Sequence, residues 1–197
     1  MRILGIDPGL AHFGVALLEV DEDGGRSVVD MMVFNTTKDP DAHSVAEDTS
    51  RRAQEITRAI LSWIGDNDPW TTPFCKAAAE RYSAPRISTG RGQTAIKGVE
   101  FLNRAWGIVD TLVAIWTAER DGFELFQPTP KEIKAGVAHK GASKAQVQAE
   151  LMATFGPRNT TGILRKHGVK GGDHEHAFDA LGAAVVSVPG DSGRLFR

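Results

Sequence analysis

The sequence predicts an α/β fold, a mixed five-stranded sheet flanked by helices. Three observations predict it. The chain opens with three strand-like runs joined by short turns. Further short apolar runs then alternate with stretches of helical periodicity. No internal repeat or low-complexity tract interrupts the pattern.

The elements follow in order. Arg2 to Asp7 is a short apolar run ending in an acid, and Pro8-Gly9 after it is a turn signal. His12 to Val20 carries Phe13, Val15, Leu17 and Val20 and reads as a second strand. Asp21-Glu22-Asp23-Gly24-Gly25 is a polar loop, and Val28 to Phe34 is a third strand, so the opening predicts an antiparallel meander. Ile56, Ala59, Ile60, Trp63 and Ile64 fall on one helical face. Gly65 and the Asp66 to Pro69 cluster predict the end of that helix. Cys75 to Glu80 is read as a short buried strand, although its alanine run is equally compatible with a helix. Tyr82 to Gln93 is a polar loop. Val99, Leu102, Trp106, Val109, Val113 and Trp116 predict a long helix from about Thr94 to Arg120, and Phe123 to Phe126 a fifth strand. Thr129-Pro130 and Ser143 to Gln146 carry the start signals of two short helices, with a basic loop over 138–142 between them. A basic loop follows over 156–172, and a last helix runs from about Asp173 to Val188.

The 197 residues, 41% hydrophobic and 24% charged, fit a single globular domain over 1–197 and exclude a disordered or fibrous chain. Cys75 is the only cysteine, which excludes an internal disulfide framework and a multi-cysteine zinc site. No apolar run approaches the roughly 20 residues of a membrane span, and the start lacks the apolar core of a signal peptide, so the expected location is cytoplasmic. The net charge of −2 conceals a division. Residues 1–75 hold 6 Lys/Arg against 13 Asp/Glu, whereas residues 76–170 hold 15 against 8. A basic block of this kind suits a polyanionic partner, although charge also varies by chance over such lengths.

Three acids stand out by position. Asp7 and Glu80 end strands, and Asp179 lies in an apolar helix with His176 one turn before it. Each alone has an ordinary explanation: an Asx turn at Asp7, a surface pair with Arg81 or Arg86 for Glu80, a satisfied buried acid at Asp179. Together they would make an oxygen-rich site suited to hard divalent cations, which can clamp the oxygens of a phosphoryl transfer.

Five segments taken together resemble the RuvC family of Holliday-junction resolvases. They are Ile3-Leu4-Gly5-Ile6-Asp7-Pro8-Gly9 with Gly14, Ala79-Glu80, Pro128 to Lys134, Gly141 to Val147, and His176-Ala177-Phe178-Asp179-Ala180-Leu181. The resemblance spans nearly the whole chain in the right order. It implies an RNase H-like fold, a homodimer, and metal-dependent endonuclease action on four-way or branched DNA with symmetric nicks. It implies two Mg²⁺ ions, replaceable by Mn²⁺, on Asp7, Glu80, Asp179 and His176. The last position is Asp in some members and His in others. Lys134 and Lys144 match basic residues that hold DNA or stabilise the phosphate, so Lys144 joins the catalytic set. The aromatic usually found three positions after the strand-four acid is Ser83 here. Tyr82 is the neighbouring residue able to stack on a base. Arg86, Arg91 and Lys140 extend the expected DNA surface.

Two departures bear on junction selectivity: a long segment over 66–74 and an acidic stretch over 39–48. A broader nuclease acting on forks and flaps, and a silent branched-DNA binder, therefore remain alternatives. Ile6-Asp7-Pro8-Gly9 also fits actin-like kinases, which need about twice this length. Among other residues, Asp173 is expected to cap the last helix, and Asp173 or His174 could assist a metal. His139 and His167 are expected to be solvated or to face phosphate. Trp63, Trp106 and Trp116 are expected in the core, with Cys75 as a small buried hydrophobe.

Overall fold

Apolar residues on both sides of the first strands require a layer of helices on each face. The computed structural model, which describes residues 1–67, 74–81 and 92–188, has that arrangement. Strands β1 (Arg2–Asp7), β2 (His12–Val20) and β3 (Arg26–Asn35) form the expected antiparallel meander. Helix α1 (Val45–Asn67) leads to β4 (Phe74–Ala79), and α2 (Gly92–Glu119) to β5 (Glu124–Phe126). The chain continues through α3 (Pro130–Val137), α4 (Lys144–Phe155), α5 (Thr161–Lys166) and α6 (His174–Val186). The sheet order is β3-β2-β1-β4-β5, with β4 parallel to both β1 and β5.

Strand alternation assigns the faces. Leu4, Ile6, Val15, Leu17, Ala77 and Ala79 meet Ile56, Ile60 and Trp63 of α1 and Val109, Leu112 and Trp116 of α2. Ile3, Ala16, Leu18 and Ala78 meet the other layer, built around α6 with α3 and α4. Both short helices start on complete capping boxes, Thr129 with Glu132 and Ser143 with Gln146.

Several elements differ from their sequence expectations. Helix α1 begins eleven residues before Ile56 and runs through Gly65. The acidic stretch is its entry: Ser44 Oγ accepts from the Glu47 N–H, and buried Asp48 accepts from the Asp39 N–H and pairs with Arg51 at 2.8 Å. The expected loop over 156–172 contains α5 and two short 3₁₀ turns. Leu164 and Val169 are buried there, single apolar anchors too sparse to produce a periodic signal. Cys75 is exposed rather than buried, because it lies at the opening of β4, before that strand passes under the helices. Trp63 and Trp116 are core residues as expected, whereas Trp106 is half-buried.

Candidate active site

Parallel pairing of β1 with β4 decides where two of the acids meet. Ile6 pairs with Ala79, and the Glu80 N–H donates to the Ile6 carbonyl at 3.2 Å, so Asp7 and Glu80 leave neighbouring strand ends at the same level. By alternation both lie on the α6 face, with Gly5 and Ala78. The carboxyl ends of parallel strands are where open α/β sheets commonly place ligands.

Helix α6 brings the other two. It lies against β1 and β2 because Gly5 and Gly14 present no side chain. A Cβ on Gly5 would stand 2.0 Å from the Ala180 carbonyl oxygen, and one on Gly14 2.1 Å from that of His176. These two carbonyls are one helical turn apart, so the glycines seat the helix at two successive turns. His176 and Asp179 share the helix face that results. His176 Nδ1 lies 2.8 Å from Asp7 Oδ2, and the Lys144 ammonium donates to Asp179 Oδ2 at 2.5 Å with Glu175 4.0 Å away. Beside Asp7 and Glu80 opens a cavity of about 180 Å³, walled by Arg81, Leu102, Trp106 and Pro130.

The electrostatics are those of crowded acids. The Glu80 carboxyl is pushed up to about 7, first by burial, then by the charges of Asp179 and Asp7, against the pull of Lys144 and Lys134. Burial also raises Asp179. The bond to Lys144 alone would lower it, so one ammonium does not neutralise the cluster. Burial draws Lys144 down, but its bond to Asp179 and the acids around it carry it above the usual lysine value. The bond to Asp7 raises His176 against the effect of burial. A net negative, partly desolvated set of oxygens and one imidazole fits a divalent cation, and the lysine occupies one carboxylate as an internal countercharge. Among the described residues no ready-made cage of three ligands is assembled.

Glu80 gives a measurable consequence. Its folded value lies above its unfolded one, so the folded state holds a proton that the unfolded chain releases. Stability therefore falls as pH rises from about 4.5 to about 7, and the deficit persists above. In chelator, Glu80→Gln should exceed the wild type by about 1–2 kcal/mol at pH 8, after discounting for the solvent that reaches the group, and match it near pH 4.5. Urea unfolding at the two pH values checks this.

No family model matches the chain. It is 31% identical to the crossover junction endodeoxyribonuclease RuvC of Mycobacterium ulcerans over 151 residues, 76% of this chain and 68% of that protein. It is 30% identical to the protein of the same name from Nocardioides sp. over 150 residues, 76% of this chain and 71% of the other.

The chain belongs to the RuvC family.

It spans about two-thirds of the length of the curated RuvC proteins it matches. The fold agrees. The structure of T. thermophilus RuvC in complex with Holliday junction substrate superposes with a TM-score of 0.61, 20% identity, and coverage of 94% of this chain and 92% of that one. The sheet is accordingly the RNase H-like one that RuvC proteins use.

The sequence-predicted residues divide into three groups. Asp7, Glu80, His176, Asp179 and Lys144 come together, and Lys134 lies close enough for its charge to act on Glu80. Lys140 is exposed on the loop between α3 and α4. Tyr82, Arg86 and Arg91 lie outside the described residues.

Other expectations are corrected. Asp173 makes no side-chain cap on α6. Instead its carboxylate accepts from Asn35 Nδ2 at 2.9 Å, because Asp173 itself has a helix-like backbone and its side chain turns towards the sheet. His174 is buried, with Nε2 3.1 Å from the Val169 carbonyl, and faces away from the acids. His167 meets buried Asp30 at 2.7 Å, where Asp30 also accepts from Trp63 Nε1, so it locks α5 to β3 rather than facing phosphate.

Residues that the sequence did not assign to the site also border it. Trp106, read as core, walls the acid cavity. His12 stacks on His176, and Asn35 holds His12. In the sequence His12 opens the second strand and Asn35 follows the third, and neither position by itself points to the site.

Proposed function

We propose that this chain is a Holliday-junction-resolving endonuclease, a crossover junction endodeoxyribonuclease that nicks four-way DNA symmetrically by metal-dependent phosphodiester hydrolysis. The observation that carries the reading is the convergence of Asp7, Glu80, His176 and Asp179 around Lys144 at the carboxyl ends of two parallel strands, in a RuvC-family chain. Residues 1–197 act as one nuclease domain in a homodimer, since two symmetric cuts need two sites. The work is done where cellular or viral DNA is present in the cytoplasm. No helix among the described residues is long and apolar enough to cross a membrane.

In this reading Asp7, Glu80, Asp179 and His176 hold the metal. Two divalent ions, Mg²⁺ or in its place Mn²⁺, would supply an ionised water and a Lewis acid for the scissile phosphate. The protein's part is positioning and charge. Asp7 and Glu80 are fixed by the β1–β4 ladder and need not move. Burial and the neighbouring acids push the Glu80 carboxyl up to about 7, so below that pH a binding cation must displace its proton. Lys144, whose side chain is 60% exposed, can turn from Asp179 to a phosphate oxygen. Lys134, whose charge reaches Glu80, and Lys140, with Tyr82, Arg86 and Arg91 of the segment that follows Glu80 in the sequence, serve the DNA. Phosphate contacts of this kind make binding fall steeply with salt, with a slope of roughly −0.9 per contact on duplex.

The test is an end-labelled four-way junction incubated with Mg²⁺, with replication forks and flaps beside it. Paired nicks at symmetric positions, leaving 5′-phosphates, are expected on the junction. Nicking of forks and flaps at equal rates would replace junction resolution by a broader branched-DNA activity. Binding of all three substrates without nicking, in Mg²⁺ and in Mn²⁺, would overturn the enzyme.

A further inference from the structure

His176 is held on two sides. Its edge meets Asp7, with Nδ1 2.8 Å from Oδ2. Its face is covered by His12, whose ring lies nearly parallel at 10° with centroids 5.0 Å apart. His12 is itself fixed. It pairs with Asn35 at the joined ends of β2 and β3, and its Nδ1 stands 2.7 Å from Asn35 Oδ1. Asn35 Nδ2 donates to Asp173 Oδ2 at 2.9 Å, and Asp173 immediately precedes α6. The donor and acceptor order is consistent throughout: an imidazole N–H gives to the amide oxygen, and the amide N–H gives to a carboxylate. The chain of contacts runs from the sheet edge to the start of α6 and returns through the stacked rings to His176 one turn inside.

We propose that His12, clamped by Asn35 and Asp173, is a positioning residue that fixes the imidazole plane of His176 with Nδ1 towards Asp7. The assignment rests on the reading of His176 as a metal ligand. An imidazole at a helix surface rotates about its last torsion over a broad range. Only one setting directs Nδ1 to the point that Asp7 also faces. A ring laid flat on its face removes the other settings before any ion arrives. Outer partners of ligating histidines commonly change metal affinity by about 10–100-fold.

Three variants test the assignment: His12→Ala removes ring and hydrogen bond, His12→Phe keeps a ring without the bond, and Asn35→Ala releases the clamp. Mn²⁺ binding is measured directly by electron paramagnetic resonance of the free ion. His176 is followed in the metal-free protein by long-range ¹⁵N–¹H spectra, and folding is checked by thermal unfolding. His12→Ala should weaken Mn²⁺ binding about tenfold or more and broaden the His176 ring signals without metal. Junction binding in chelator should be unchanged. His12→Phe should recover most of the affinity, and Asn35→Ala should fall between. A His12→Ala protein with wild-type Mn²⁺ affinity and sharp His176 signals overturns the proposal. His176→Ala serves as the control. If it weakens Mn²⁺ binding while His12→Ala does not, the positioning role alone is lost. If it leaves Mn²⁺ binding unchanged, the ligand reading and this inference fail together.

Discussion

Asp7→Asn should reduce nicking of a four-way junction by more than about 100-fold while leaving junction binding in chelator at least as tight as wild type. The side chain keeps its shape, and its amide oxygen can still face His176 Nδ1. What is lost is the charge. Asp7 is fixed by the β1–β4 ladder beside Glu80, and its carboxylate is one of those holding Glu80 high. Partners one step removed from a metal already cost about 10–100-fold when mutated, so the loss of a carboxylate proposed to hold the ion itself should exceed that range. Binding should not suffer, because removing a negative charge near phosphate relieves repulsion. Gel-shift titration and single-turnover nicking measure the two halves separately. Nicking within tenfold of wild type would remove Asp7 from the chemistry.

Gly14→Ala and Gly5→Ala should each destabilise the protein by about 1–3 kcal/mol, and Gly14→Ala should reduce nicking about 100-fold even where the chain still folds. The new methyl groups would meet the His176 and Ala180 backbone oxygens, not the ends of flexible side chains, so α6 itself must move. A displacement near 1 Å is enough to cost on the order of 10² in rate when reacting groups are misaligned. The Gly14 contact falls on His176, within the site, whereas the Gly5 contact lies a turn further along. Gly5→Ala should therefore act more on unfolding temperature than on rate. Thermal unfolding and nicking at a temperature where both variants are folded will separate these effects. Equal activity of Gly14→Ala and wild type would mean that α6 has more room than the backbone distances allow.

Much of this was legible in the sequence because it is written in local patterns. Period-two runs gave the meander, and the capping boxes at Thr129 and Ser143 marked the starts of α3 and α4. The strand-ending acids Asp7 and Glu80 and the one-turn spacing of His176 and Asp179 are local features, and they pick out residues that the fold brings together. What was not legible depends on pairing between distant segments. His12 faces Asn35 only through the β2–β3 register, and Asn35 reaches Asp173 across 138 positions. Asp173 matched a helix cap by type and place, yet its side chain is drawn to the sheet by an amide that no local window contains. His167 in a basic loop read as a solvated residue for the same reason, since its partner Asp30 lies on β3. The early start of α1 was hidden because its first turns carry acids and hydroxyl residues rather than a periodic apolar stripe.

The two glycine contacts and the β1–β4 pairing also bear on when the enzyme becomes active. Asp7 is made at the start of the chain, Glu80 near its middle and His176 and Asp179 on α6, the last helix described. Contacts this far apart in sequence close late and slowly. A nascent or partly folded chain therefore carries the first acids without the imidazole and carboxylate that complete them. Cutting ability should therefore appear in a single step, when α6 seats on the sheet, and a partly folded chain should leave the DNA around it uncut.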